Sequence, residues 1–173
     1  MKKCIVQYWI PSTDYTDPEY NNLLQEKDQH KLVELSTKSF EQYANKYGHD
    51  FKRISEKKIN FKHPTFERFD LWLDDSWWEE YDEIMYVDCD VFAMPDAPDI
   101  FQNYKSLDTF KVCNHPAFQM ATEPDQIDHV YHGLLKKCKL DEVKWYGFQP
   151  GVFILTKTAR DIMKPYIEQF KEL

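Results

Sequence analysis

The sequence predicts an α/β fold in which a mostly parallel central sheet is flanked by helices. Short apolar runs typical of buried strands alternate, along the first half of the chain, with segments of helical periodicity. The resulting order is strand, helix, strand, helix, strand, which favours a parallel sheet with right-handed crossovers. We therefore expect one domain over residues 1–173, a length that buries a substantial core.

The first predicted strand is KCIVQYWI, which begins at Lys3 and is followed by a polar loop rich in turn formers. It delivers Tyr8 and Trp9 to the loop at its carboxyl end. Open parallel sheets bind ligands at the carboxyl ends of their strands. Both aromatic residues are therefore expected at the binding edge, where they would contact a ligand or belong to the core.

The first helix is predicted from about His30 to Tyr47, with Gly48 as its C-terminal stop. HDFKRI then fits a second short strand. The apolar and small residues at helical spacing predict the buried face of this helix. They are Leu32, Leu35, Ser36, Ser39, Phe40, Tyr43 and Ala44.

The second helix is predicted over residues 64–81, where large apolar residues recur at spacings of three and four. The next strand is EIMYVDCDVFA. Because side chains alternate faces along a strand, Asp88 and Asp90 are expected on one side and Cys89 on the other. Two carboxylates on one face repel each other unless a positive charge lies between them.

The second half of the chain is predicted to contain a strand at TFKVC, a helix at DQIDHVYHGLLKKC and an apolar strand at FQPGVFILTK. A last helix begins near Thr158 and is still running at Leu173. This pattern predicts that a C-terminal tail or a further segment follows in the parent protein.

The composition excludes several partners. The net charge is −8 and Lys and Arg form no long block, which argues against nucleic acid and anionic membranes. Four cysteines lack any zinc-ligand spacing and are expected to be reduced thiols. No apolar run approaches membrane-spanning length and the N-terminus lacks a signal-peptide pattern, so we expect a cytoplasmic protein.

Asp88 and Asp90 together fit a divalent metal. Mg²⁺ and Mn²⁺ commonly use one or two protein carboxylates together with substrate phosphates. Such a cation stabilises a departing diphosphate, which reconciles an acidic protein with an anionic substrate. The alternative is structural, with Asp88 capping the following segment and Asp90 solvated.

The stretch YDEIMYVDCDVFAMPDAPDIF resembles the DxD segment of GT-A fold glycosyltransferases. Three further stretches agree in order and distance: KCIVQYWI, KSFEQYANKYGHDF and FQPGVFILTK. The resemblance implies a GT-A-like, Rossmann-like domain that transfers a sugar from a UDP- or GDP-sugar donor to a hydroxyl of a glycan or glycoprotein acceptor. It also implies Mn²⁺ or Mg²⁺ as cofactor.

The resemblance assigns roles to the residues around this metal. Asp88 would contact the nucleotide ribose and the metal, and Asp90 would hold the metal directly as part of the catalytic site. Tyr8, or its neighbour Trp9 or Ile10, would contact the base or ribose. Arg68 would approach the donor, although an ion pair with Asp70 or a glutamate is an equal alternative.

The resemblance places Gln149 and Gly151 beside the donor sugar. In a retaining enzyme, Gln149 would be a catalytic residue near the anomeric carbon. An inverting enzyme needs a carboxylate base instead. The candidates for that base are Glu123, Asp125 and Asp128.

One departure from the pattern concerns the metal. Many relatives supply a third ligand, often His, after the GVF strand, whereas all six histidines here precede it. Water and phosphate would complete the metal shell, or the ligand lies beyond Leu173. A non-catalytic nucleotide- or partner-binding module therefore remains an alternative function, and a phosphohydrolase using the same aspartates is a third.

Overall fold

The computed structural model describes residues 1–10, 27–59, 64–103, 111–114 and 148–171. Within these ranges, five strands form one sheet in the order β2-β1-β3-β5-β4. Their bounds are β1 Lys3–Tyr8, β2 Asp50–Ile54, β3 Glu83–Val87, β4 Lys111–Asn114 and β5 Phe148–Thr156. β1 pairs in parallel with β2 and β3, whereas β5 is antiparallel to both β3 and β4. Every strand except β5 therefore runs in one direction, which confirms the predicted mostly parallel α/β sheet.

The helices flank this sheet. The long ones are α1 Lys27–Tyr47 and α5 Lys157–Lys171. Shorter elements are a 3₁₀ helix Pro64–Phe69, α2 Asp70–Leu73, α3 Ser76–Glu80 and α4 Ile100–Asn103. Within the described ranges, no helix combines the length and the apolar character that crossing a membrane requires. The helix predicted over residues 125–138, and the base candidates Glu123, Asp125 and Asp128, lie outside the described residues.

Each face of the sheet packs its own core, because side chains alternate along the strands. Cys4 and Val6 of β1 join a cluster that contains Trp72, Trp77 and Trp78. Ile5 lies on the other face with residues of α1. The same alternation in β3 puts Tyr86 on the tryptophan side and Val87 on the α1 side.

The buried face of α1 differs from the prediction. Leu32 and Leu35, expected inside, are 40% and 51% exposed. Val33 and Thr37 are buried in their place, next to Ser36. Ser36 and Thr37 face the sheet because their hydroxyl groups form hydrogen bonds with the buried side-chain amide of Gln7 in β1. Gly48 ends the helix region with a φ of 71°, as its C-terminal stop requires.

The single helix predicted over residues 64–81 is wrong. Asp74 is extended, with φ −89° and ψ 112°, and its Oδ1 accepts the Ser76 N–H at 2.9 Å. The break allows two indole N–H groups to find buried partners: that of Trp77 donates to Asp70 at 2.9 Å and that of Trp78 to the Leu71 carbonyl at 2.7 Å. Satisfying buried indoles therefore overrides the helical periodicity.

The predicted continuation of β3 through DCD is also wrong. The strand ends at Val87, and residues 88–91 form a turn in which the Val91 N–H donates to the Asp88 carbonyl at 3.3 Å. Strand alternation is therefore not what relates Asp88 to Asp90. The turn nevertheless brings both aspartates to the same cavity.

Candidate functional site

A cavity of about 480 Å³ opens at the carboxyl ends of β1 and β3. α1 and the 3₁₀ helix form its side walls. Its lining residues come from four segments: Tyr8, Trp9 and Ile10; Gln29, Leu32 and Val33; Thr65 and Arg68; and Tyr86, Asp88, Cys89 and Asp90. Five of the predicted site residues therefore meet here, as the strand order requires for an α/β sheet.

Asp88 begins the turn and is held on several sides. Its N–H donates to the Gly151 carbonyl at 2.7 Å, and the Tyr86 hydroxyl donates to its Oδ1. Cys89 follows, and its Sγ donates to the Tyr8 carbonyl at 3.2 Å. The turn is thus tied to the carboxyl ends of β1 and β3 and to Gly151 within β5.

Burial raises the pKa of the Asp88 carboxyl above its ordinary value. The Tyr86 hydrogen bond and the Arg68 charge lower the pKa again, and the neighbouring Asp90 raises it further. Asp90 itself is exposed at the cavity. A half-buried carboxylate beside a second one favours a cation in this space.

Arg68 is the penultimate residue of the 3₁₀ helix and lines the cavity together with the aspartate turn. Its guanidinium carbon lies 5.5 Å from the centre of the Tyr86 ring, within the range of a cation–π contact. The Tyr86 ring is itself stacked on Phe153 of β5, with centres 4.8 Å apart and planes at 21°. Arg68 therefore brings positive charge to the cavity, and the Tyr86 ring over which it lies is held by stacking on Phe153.

Tyr8 lines the cavity but has a structural partner for its hydroxyl. The O–H donates to Oδ2 of Asp70 at 3.1 Å, and the same oxygen accepts the Trp77 indole N–H. Burial raises the pKa of Asp70 and that of Tyr8. Tyr8 thus packs against the core and also lines the cavity, and its contact with a base or ribose stays a prediction.

Trp9 is half-buried and lines the cavity beside α1. Its ring meets that of His30 edge-on, with centres 5.6 Å apart. Its backbone N–H donates to the Ile54 carbonyl at 2.8 Å, which extends the pairing of β1 with β2. The indole therefore offers an aromatic surface on a fixed backbone.

Gly151 and Gln149 both lie in β5. The Gly151 carbonyl accepts the Asp88 N–H, so this residue supports the aspartate turn. Gln149 pairs with Cys113 of β4. The roles predicted for these two residues at the donor sugar remain predictions.

The solved structures to which this chain is similar include several glycosyltransferases. The chain superposes on a glycosyltransferase involved in glycosylation of the major capsid of PBCV-1, with a TM-score of 0.54 and 13% identity, over 95% of this chain and 64% of that one. The apo glycosyltransferase GlyE of Streptococcus pneumoniae gives a TM-score of 0.52 at 12% identity, over 99% and 39%. The galactosyltransferase LgtC, solved with donor and acceptor sugar analogs, gives 0.50 at 14% identity, over 98% and 65%. The chain has the GT-A-type glycosyltransferase fold.

The similarity to these glycosyltransferases lies in the structure and not in the sequence. No protein-family model matches the sequence, and no curated protein matches it. The chain spans between 39% and 65% of the length of these three structures. The fold predicted from the sequence resemblance is therefore confirmed.

The cavity offers two carboxylates to a hard cation. Asp88 and Asp90 line it together, and in the described part of the chain no group of three or more His, Cys, Asp or Glu side chains could hold a metal. Two carboxylates fit Mg²⁺ or Mn²⁺, which commonly take their other ligands from phosphate and water. A cation bound between the two carboxylates would favour the ionised form of Asp88, whose pKa is raised chiefly by burial.

Sequence reasoning missed two residues of this site. Tyr86 has the pattern of an ordinary core aromatic, and only the turn after Val87 brings Asp88 back to its hydroxyl. Gln7 has the pattern of an interruption in an apolar strand, yet it is fully buried and donates to the Asp88 carbonyl. The one signal in the sequence was a polar amide inside a buried strand.

Proposed function

We propose that this chain forms the donor-binding part of a metal-dependent glycosyltransferase. The donor would be a UDP- or GDP-sugar, and the acceptor a hydroxyl of a glycan or glycoprotein. The observation that carries the proposal is the convergence of Trp9, Arg68, Asp88 and Asp90 on one cavity at the carboxyl ends of β1 and β3. The GT-A-type fold supports the same reading.

The chemistry of the cavity matches the parts of such a donor. Trp9 offers an aromatic face to a nucleotide base, which stacks on any π surface. Arg68 offers a planar cation to a diphosphate, and its place over the Tyr86 ring orients it. Asp88 and Asp90 would hold Mn²⁺ or Mg²⁺, whose charge stabilises the departing nucleoside diphosphate.

The chain's own residues would bind and orient the donor. Tyr86 and Gly151 fix Asp88 through its carboxylate and its N–H, so this carboxylate is positioned before a ligand arrives. Exposed Asp90 is the more accessible of the two. A preorganised site of this kind costs little rearrangement on binding.

Donor hydrolysis without an acceptor tests the proposal. UDP- and GDP-sugars are incubated with the protein and Mn²⁺, and release of free sugar and nucleoside diphosphate is followed. We expect release from one donor class, dependent on Mn²⁺ and lost in Asp90→Ala. Asp96→Ala is the matched control, since Asp96 is an exposed aspartate of the same segment outside the cavity.

Three other outcomes would replace this proposal. Metal-dependent nucleotide binding without any sugar release would favour a nucleotide-binding module. Release of inorganic phosphate would favour a phosphohydrolase. Equal turnover by wild type and Asp90→Ala would remove the metal assignment.

A further inference from the structure

We propose that Gln7 is a positioning residue, which fixes the Asp88–Val91 turn so that its two carboxylates can bind a divalent cation. This inference rests on the proposed function. Gln7 does not line the cavity and would act through the turn. It lies on β1, the strand that pairs with both β2 and β3.

Gln7 is fully buried on the α1 side of the sheet. Its Nε2 donates to Oγ of Ser36 at 2.8 Å and to the Asp88 carbonyl at 3.3 Å. Its Oε1 accepts the Thr37 hydroxyl at 3.0 Å. A buried amide is costly unless it is paired, and this one is paired on both of its polar atoms.

The same network reaches the far end of the turn. The Ser36 hydroxyl, which accepts from Gln7, donates to the Val91 carbonyl. Because the carbonyls of Asp88 and Val91 can only accept, the donors must come from the Gln7 amide and the Ser36 hydroxyl. One chain of hydrogen bonds thus holds both ends of the turn against α1.

The opposite side of the turn is held by β5. The Asp88 N–H donates to the Gly151 carbonyl at 2.7 Å, so Asp88 is fixed through its N–H and its carbonyl from two directions. Asp88 and Asp90 both belong to this turn. Groups that orient metal ligands in this way set metal affinity without touching the metal.

Metal affinity distinguishes positioning from stability. We measure binding of Mn²⁺ in the presence of excess UDP or GDP, from the electron paramagnetic resonance signal of the free ion. Gln7→Leu removes the donors at nearly constant volume, and Ser36→Ala removes the bond to Val91. We expect both to weaken Mn²⁺ binding about 10- to 100-fold.

Thr37→Val is the matched control, because it deletes a buried hydrogen bond of the same network and leaves both donors to the turn in place. We expect it to lower the urea midpoint of unfolding yet bind Mn²⁺ close to wild type. Folded Gln7→Leu with wild-type Mn²⁺ affinity would overturn the inference. Equal losses of Mn²⁺ affinity in Thr37→Val and Gln7→Leu would also overturn it, since the effect would then follow stability alone.

Two further variants separate the possible failures. If Gln7→Leu does not fold, Ser36→Ala decides the question by the same criteria. Asp90→Ala reports on the proposed function itself. Both proposals fail if wild type binds no Mn²⁺ or if Asp90→Ala binds Mn²⁺ as well as wild type does. The positioning role alone fails if Asp90→Ala loses Mn²⁺ binding but Gln7→Leu and Ser36→Ala bind Mn²⁺ as wild type does.

Discussion

The Tyr86 hydroxyl donates a hydrogen bond to Oδ1 of Asp88, so the penultimate residue of β3 orients the first residue of the turn that follows. Stacking on Phe153 holds the tyrosine ring, and the Arg68 guanidinium lies over it. The Tyr86 hydroxyl and the Arg68 charge thus both stabilise the ionised form of the Asp88 carboxyl, whose pKa is raised by burial. The consequences for stability and binding can be measured.

Asp88→Asn should stabilise the metal-free protein at neutral pH. Burial raises the pKa of Asp88 in the folded state, so the folded protein binds more protons than the unfolded one between the ordinary and the raised value. Stability is therefore lost as the pH rises through that window, and the asparagine avoids this loss. We expect a higher Tm for the variant at pH 7, measured with a chelator present, and a difference that vanishes below about pH 3.9. The exposed control Asp96→Asn should leave the Tm at pH 7 near that of wild type.

Arg68→Gln should weaken the binding of the nucleoside diphosphate, UDP or GDP. Hydrogen bonds to charged groups contribute about 1.5–3 kcal/mol, so we expect that loss in binding free energy by calorimetry. The Arg68 charge also lowers the Asp88 pKa, so Mn²⁺ binding by the glutamine variant should fall off at a higher pH than in wild type. Arg68→Lys should retain the pH profile and recover only part of the affinity, because lysine lacks the planar fork. Unchanged affinity in Arg68→Gln would assign this residue to structure alone.

Tyr8→Phe should affect stability more than binding. The substitution leaves the buried Asp70 carboxylate with the Trp77 indole but without the tyrosine hydroxyl. A buried group that loses a partner costs about 1–3 kcal/mol, which urea denaturation can measure. The ring remains in the cavity wall, so nucleotide affinity should stay near wild type. A large loss of affinity with unchanged stability would mean that the hydroxyl meets the ligand.

Trp9→Ala should reduce nucleotide affinity without changing metal affinity. Stacking of a base on an aromatic side chain is worth about 1–3 kcal/mol. The matched control is Tyr166→Ala on α5, which removes an aromatic residue that is 55% exposed and outside the cavity. Equal affinities of Trp9→Ala and the control for UDP and GDP would place the base elsewhere.

The sequence was sufficient to locate strands of the sheet and to predict that five of the candidate residues would meet at one cavity. Apolar runs located β1, β3 and β5, and their carboxyl ends predicted where Tyr8, Trp9 and the aspartates would meet. These features depend on local periodicity and on a general rule of α/β sheets. They needed no knowledge of tertiary contacts.

The errors arise where a polar group found its partner far along the chain. The helix predicted over residues 64–81 is interrupted because two indole N–H groups need acceptors. In α1, Ser36 and Thr37 face inward because they form hydrogen bonds with the buried amide of Gln7. The three hydrogen-bond partners of Gln7 are 29, 30 and 81 residues away along the chain. Periodicity counts apolar side chains, and it carries no information about such pairings.

Calorimetric titration of UDP and of GDP, with and without Mn²⁺, tests the central claim most directly. One nucleotide should bind wild type and Asp96→Ala only when Mn²⁺ is present, and Asp90→Ala should lose that binding. This result would place a metal-assisted nucleotide site at the turn after β3 and identify the base. The absence of metal-dependent binding of either nucleotide to the wild-type protein would contradict the claim and leave the aspartate turn as a structural end of the strand.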